Sequence, residues 1–200
     1  MGCGWTARAG IDYGRMQAVE VVNGLDADTP FSGVKFWERL LNEGHRLTAL
    51  GGSDNHDALL RGSRAIGTPT TVIYADRLSQ DGIVAAIRRG RVFIDVAGTR
   101  DRALDLTASV GKQMAHMGDT LTVTPGARVR FGGTVSGVAG AEVEVILDGQ
   151  RTSLLKDSHI SSAQPFEFPW HADGKRHWIR LDVRDGESHL VLIGNPIYLR

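Results

Sequence analysis

Residues 177–184, His177-Trp178-Ile179-Arg180-Leu181-Asp182-Val183-Arg184, followed by Asp185-Gly186, carry the pattern that decides the fold. In an extended backbone successive side chains point to opposite sides, so Ile179, Leu181 and Val183 share one face and Arg180, Asp182 and Arg184 the other. The spacing predicts a strand with one buried face. Asp-Gly then suits a tight type I′ turn, because both central residues of that turn need positive φ. Upstream, Val143, Val145 and Leu147 alternate with Glu142, Glu144 and Ile146 ahead of Asp148-Gly149, and Asp173-Gly174 supplies a third such pair. Three of these turns predict antiparallel sheet, and about six to eight short strands over residues 103–200 predict a β-sandwich.

Towards the amino terminus the period changes. From residue 18 to 96 strand and helix signals alternate, which predicts parallel strands joined by helical crossovers. Residues 18–23 (AVEVVN) read as a strand, and 32–43 as a helix on the spacing of Val34, Trp37, Leu40 and Leu41, with Gly44 as the stop. Residues 47–50, 70–75 and 91–96 read as strands. Residues 79–89 read as a second helix, with Asp81 in its first turn, Arg88 and Arg89 in its last and Gly90 just beyond. The chain therefore divides into an α/β domain over residues 1–102 followed by an all-β domain over 103–200.

Lys+Arg and Asp+Glu both number 23, so no net field draws the chain to nucleic acid or to an anionic membrane. No apolar run reaches the ~18 residues of a membrane span, and residues 1–15 lack the basic-then-apolar order of a secretory signal. Cys3 stands alone and cannot form an internal disulfide. Together these features predict a cytoplasmic protein with neither nucleic-acid nor membrane partners. The sequence carries no Gly-x-Ser-x-Gly elbow, phosphate-binding loop or dinucleotide fingerprint, which argues against serine hydrolases and nucleotide cofactors.

Chemistry concentrates in Gly51-Gly52-Ser53-Asp54-Asn55-His56, a glycine-rich turn at the carboxyl end of a strand. Residues two apart in an extended stretch point the same way, so the Asp54 carboxylate and the His56 imidazole can reach one divalent cation. A turn or capping role is the plainer reading of Asp54.

Several stretches occur in an order and spacing that extend the argument beyond that pair. They are Ala18 to Gly24, the helix Phe36-Trp37-Glu38-Arg39-Leu40-Leu41 ending Gly44-His45-Arg46, the turn Gly52-Ser53-Asp54-Asn55-His56, Ile66-Gly67-Thr68-Pro69-Thr70-Thr71-Val72, Gly90-Arg91-Val92-Phe93, and the closing Gly194-Asn195-Pro196-Ile197-Tyr198. They resemble the second half of a PHP-domain (polymerase and histidinol phosphatase) metallohydrolase, most of all its carbaryl-hydrolase-like branch, over nearly the whole chain. The resemblance implies a distorted (β/α)₇ barrel followed by a β-sandwich, with zinc, manganese or iron at the carboxyl ends of the strands. It implies that Asp54 and His56 are metal ligands. The family's opening His-x-His and its further His and Glu ligands have no counterpart here, so the expectation is an amino-terminally truncated relative. It would hold a partial PHP-type barrel whose open sheet edge is covered by a second copy of the chain.

The function this implies is metal-dependent hydrolysis by activated water, on phosphotriesters or phosphodiesters first and on carbamates or carboxyl esters second. The competing expectation is a non-catalytic interaction module. Among helpers, Cys3 is a candidate soft metal ligand, and Glu20 with Asn23 at the end of the first strand is a candidate pair for orienting a ligand or a water. Asp12, Asp26 and Asp28 read as turn residues, His45 as a helix-end residue, and His159, His171, His177 and His189 as parts of a polar-aromatic sandwich surface. Arg61, Arg64 and Arg100 are candidate anion holders.

Overall fold

The computed structural model describes residues 11–24, 26–62, 65–138, 140–160 and 164–200, which stack in three layers. The first layer is a β-α-β unit of strand β1 (Ala18–Asn23), helix α1 (Val34–Asn42) and strand β2 (Thr48–Gly52), with β1 and β2 paired in parallel. Helix α1 buries Val34, Trp37, Leu40 and Leu41 along one face, as their helical spacing requires. Next come β3 (Thr70–Ile73), α2 (Gln80–Arg89) and β4 (Val92–Asp95). Ser79 caps α2 by accepting from the Gly82 amide, and Gly90 ends it in the left-handed region at φ 75°.

The remaining strands are β5 (Ala103–Val110), β6 (Gln113–His116), β7 (Thr120–Leu121), β8 (Arg128–Ser136), β9 (Ala141–Leu147), β10 (Gln150–Thr152), β11 (His159–Ile160), β12 (Phe166–His171), β13 (His177–Arg184), β14 (Leu190–Gly194) and β15 (Ile197–Leu199). The middle layer is a nine-stranded sheet in the order β10-β9-β13-β14-β4-β3, with β11 also on β9 and with β15 joining β13 to β7. The third layer is the four-stranded sheet β12-β8-β5-β6. Phe93, Leu181, Val183 and Leu192 of the middle sheet meet Leu104, Leu106, Phe131 and Phe168 of the third in one apolar core. On the opposite face Ile94, Ile146, Trp178 and Ile193 meet Trp37, Leu40, Leu47 and Ala49 in a second.

This arrangement corrects the barrel expectation. Strand accounts for 42% of the structure and helix for 13%, in two helices, and no barrel closes among the described residues. The overturning detail is β3 and β4, which pair antiparallel although α2 lies between them. A helix between strands makes a parallel crossover only when it carries the chain back along the sheet. Here the Tyr74 amide bonds to the Arg91 carbonyl, so the β3–β4 ladder runs right up to the two ends of the helical excursion. Strand β4 then pairs antiparallel with β14, which splices residues 70–95 into the same sheet as β9 and β13.

The polar face of residues 177–184 is the second correction. Arg180 and Asp182 are 1% and 4% exposed, because the β-α-β unit lies over the side that alternation assigned to water. The guanidinium donates from Nη2 to Glu38 Oε1 of α1 at 2.8 Å, and from Nε and Nη2 to Asp182 at 2.8 and 2.7 Å. It lies 5.0 Å from the Trp37 ring and 5.5 Å from the Trp178 ring. Burial pulls the Arg180 pKa down, but the two carboxylates outweigh it and hold the group above the ordinary guanidinium value. Trp170 and Trp178 are likewise buried rather than parts of an exposed aromatic surface.

Candidate functional site

Strand β2 packs across the face of the middle sheet at β3 and β4, both edges of β4 being paired already, and is tied to it by side chains. The Asn195 amide donates to the carbonyls of Ala49 and Val92 and accepts from the Ala49 amide. Thr71 Oγ1 accepts from the Gly51 amide and donates to the Gly51 carbonyl. Gly51 allows this approach, since a Cβ there would strike Ile94 at 2.8 Å. With Ala49 level with Val92 and Gly51 against Ile94, β2 runs in the same direction as β4. The carboxyl ends of the parallel pair β1 and β2 therefore lie on the same side of the molecule as the carboxyl end of β4, which belongs to the sheet beneath.

The turn that bears Asp54 and His56 leaves β2 at this end. Asp54 takes φ 47°, in the left-handed region, and its Oδ1 stands 3.2 Å from His56 Nε2. The two side chains are 50% and 88% exposed, so they face solvent. Asn55 and Asp57 close the turn, Asn55 Oδ1 accepting from the Asp57 amide at 2.7 Å and Asp57 Oδ1 from the Leu59 amide at 2.9 Å.

Glu20 and Asn23 lie on the neighbouring strand. Asn23 pairs in register with Gly52, and the Gly24 amide bonds to the Gly52 carbonyl at 2.8 Å. Asn23 Nδ2 donates to Glu20 Oε2 at 3.3 Å, and the Glu20 carboxylate lies over Gly52, occupying the space a side chain there would need. The structure thus brings Glu20 and Asn23 to the strand that runs directly into the Asp54–His56 turn. Cys3 and Arg64 lie outside the described residues. Arg61 folds back on the carbonyls of Ala58 and Leu60. Asp12 and Asp26 serve local turns, and Asp28 binds Arg184 and the Leu190 amide.

Asp54 Oδ1 and His56 Nε2 are within hydrogen-bond distance of each other, a separation that two donors to one cation would also show. Donors bound to zinc at about 2.0–2.2 Å and a tetrahedral angle stand about 3.4 Å apart, close to the separation seen here. Among the described residues no group of three or more His, Cys, Asp or Glu side chains converges as a complete metal cage. The pair would be completed by water or by donors beyond these residues.

Two features of the molecule escaped the sequence reading. Asp95, at the end of β4, is 1% exposed and accepts from the amides of Ala97 and Thr99, from Thr99 Oγ1 and from Arg102 Nη1, so it shapes the loop after β4 on the same side of the molecule. Asp148 and Asp173 grip His177 from both sides, Nδ1 to Asp148 Oδ2 at 2.5 Å and Nε2 to Asp173 Oδ1 at 2.9 Å. Burial lowers the His177 pKa, but its carboxylate partners outweigh this and raise it above the ordinary imidazole value. Both aspartates belong to Asp-Gly pairs, whose turn role hid their second use.

The chain matches no family model and no curated protein. No helix among the described residues is long and apolar enough to cross a membrane.

Proposed function

We propose that the chain is a divalent-metal-dependent hydrolase of esters, with Asp54 and His56 as metal ligands and Glu20 and Asn23 as the groups that orient water or substrate beside them. The observation that carries this reading is the 3.2 Å approach of Asp54 Oδ1 and His56 Nε2 on a solvent-open turn at the carboxyl end of the parallel pair β1 and β2. The motif resemblance drawn from the sequence implies the same two ligands, but the chain matches no family model and forms no PHP-type barrel among the described residues, so the assignment rests on the turn itself. A divalent cation, when bound, supplies a water acidified towards neutrality and an electrophile for a phosphoryl or acyl oxygen. Glu20 accepts from Asn23 and lies over Gly52, an exposed carboxylate on the strand beside the turn that would accept a proton or a hydrogen bond. Zinc suits the nitrogen–oxygen donor set, and manganese and iron accept it as well. On this reading a second copy covers the outer edge of β1, which pairs on one side only among the described residues.

The test is metal content by elemental mass spectrometry after incubation with zinc, manganese or iron, alongside hydrolysis of aryl phosphodiester, phosphotriester and carbamate substrates. Near-stoichiometric metal in the wild type, lost in Asp54→Ala and His56→Ala together with activity, is the expected result. Glu20→Gln should keep the metal more nearly than the activity, with turnover down about 10–100-fold. A wild type that retains no metal, or full hydrolysis by Asp54→Ala, overturns the assignment. Light scattering with and without zinc reads the oligomer.

A further inference from the structure

Where α1 ends, part of the middle sheet is left uncovered, and a cavity of about 610 Å³ opens there between the α1–β2 link above and the start of β13 and end of β15 below. Its floor is set by register. His177 pairs with Leu199 and Trp178 with Tyr198, so one step further out Arg176 stands opposite Arg200. Side chains two apart on a strand share a face, which puts both arginines on the side of Trp178 and Tyr198, the side that faces α1. Arg200 is held in this register by β7, its amide donating to the Leu121 carbonyl and its carbonyl accepting from the Val123 amide. The third cation comes from the overlying layer, where Arg46 lays its guanidinium 4.8 Å from the Tyr198 ring.

Like charges directly opposite each other on a sheet are unfavourable unless something neutralises them. None of Arg46, Arg176 and Arg200 has a carboxylate partner among the described residues. The two carboxylates on the cavity wall are committed elsewhere. Asp148 accepts from the Trp178 amide with one oxygen and meets His177 Nδ1 with the other, and Glu43 is turned to Arg39 at 4.0 Å. All three arginines are exposed and line the cavity, so their charges are open to whatever enters it. The Tyr198 hydroxyl also bonds to no described residue; burial raises its pKa against the opposing pull of Arg46, so it stays protonated and can donate. The cavity thus gathers permanent cations that no anion of the chain matches.

We propose that this cavity binds a small polyanion, a molecule carrying at least two phosphate or carboxylate groups, held jointly by Arg46, Arg176 and Arg200. A guanidinium stays charged throughout the working pH range and offers paired N–H donors that match the oxygens of either group. Stacking on Tyr198 orients the plane of Arg46 in advance, so less freedom is lost on binding. The volume lies in the range of small-molecule sites, whereas a lone inorganic ion would leave most of it to water. The α1–β2 link precedes β2 and the Asp54 turn follows it, so the two sites lie at opposite ends of that strand and do not depend on each other.

The experiment is calorimetric titration of the full chain, without added metal, with pyrophosphate and with citrate as probes and sodium chloride at matched ionic strength as the control. Saturable binding of at least one probe, half-complete below about 1 mM and weakened about tenfold or more in Arg176→Gln and in Arg46→Gln, is the expected result. Thermal melting supplies a second readout. Free of ligand, Arg176→Gln should melt about 1–3 °C above the wild type, because the opposed charges are relieved, while the bound probe should raise the wild-type Tm more than that of the variant. Asp54→Ala should bind as the wild type does, which separates this site from the proposed hydrolytic one. No saturable heat up to about 10 mM of either probe, or equal binding by the wild type and both arginine variants, overturns the proposal. So does a ligand-free Arg176→Gln that melts below the wild type, since Arg176 would then be satisfied within the chain.

Discussion

The two faces of the middle sheet are equally dry and chemically unlike. Towards the four-stranded sheet the contact is apolar, with Phe131 and Phe168 stacked at 5.1 Å among aliphatic side chains. Towards α1 it carries Arg180, Asp182, Glu38 and Glu144, all below 9% exposed. An apolar face is tolerant of partners, since any well-shaped hydrocarbon surface satisfies it. The charged face is selective, because Arg180 needs Glu38 at one position of one helix. The difference teaches that the β-α-β unit is docked by a polar key set between two indole rings, whereas the sandwich is held by packing.

The sharpest way to break that contrast is to damage each face in turn. Arg180→Met leaves Asp182 buried without its cation and Glu38 with only the exposed Lys35, and should destabilise the fold by about 3–5 kcal/mol in urea unfolding. Phe131→Ala on the other face should be of similar size, about 3–5 kcal/mol, from the cavity it opens. The two should diverge on repair. Replacing Glu38, Arg180 and Asp182 together by apolar residues of like volume should recover most of the loss, because no charge is then left unpaired. A triple variant as unstable as Arg180→Met alone would mean that the aromatic stacking on Arg180, not its ion pairs, holds α1 in place.

A smaller effect comes from the seam. Asn195 is 1% exposed and ties β2 to the underlying β4 with three hydrogen bonds from one side chain. Asn195→Ala leaves backbone groups of Ala49 and Val92 unsatisfied, and the expected loss is about 2–3 kcal/mol. Amide exchange should show the loss concentrated in β1 and β2, with β8 and β12 unchanged. Uniform loss of protection would show that the two layers unfold as one unit.

Much of the local structure was legible in the sequence. The helical spacing of Val34, Trp37, Leu40 and Leu41 marked α1, and Asp81, Arg88, Arg89 and Gly90 marked both ends of α2, because caps and amphipathic faces are written within a few residues. Asp148-Gly149 forms the two-residue turn between β9 and β10, with φ 51° and 85°. Pairing was legible in part. Asp185-Gly186 does join the antiparallel neighbours β13 and β14, though in a longer loop closed by the Asp185 amide on the His189 carbonyl, whereas Asp173-Gly174 joins β12 and β13, which lie in different sheets. Alternation in 177–184 reports chemical contrast between two faces, not exposure, so a charged face covered by another layer reads as a wet one. The Asp54-x-His56 spacing was visible as a motif, but Glu20 and Asn23 are set beside the strand that precedes it only through the β1–β2 register. Asp95 gave no signal, because its four donors come from the loop that it organises.

The smallest effect tests a tie at the rim rather than a face. His177 carries both nitrogens to carboxylates, Asp148 in the β9–β10 turn and Asp173 in the link from β12. An imidazole can donate from both nitrogens only when protonated. Its folded pKa is raised, so its stabilisation is fully present below the ordinary value of about 6.5 and is lost as pH rises through the raised one. The Asp173 pKa is lowered, first by the Lys175 amide and then by His177. That contribution stands above the ordinary carboxylate value and is lost only as pH falls through the lowered one. The stability gap between wild type and His177→Gln should therefore hold on the mildly acidic side of neutrality and shrink as the solution becomes alkaline. It should remain below the effects at Arg180 and Asn195, since Asp173 is open to solvent and an ion pair there is screened. A gap of constant size between about pH 5 and 9 would show that His177 serves as a neutral hydrogen-bonding group, and that Asp148 alone positions the turn through the Trp178 amide, which it accepts at 3.0 Å.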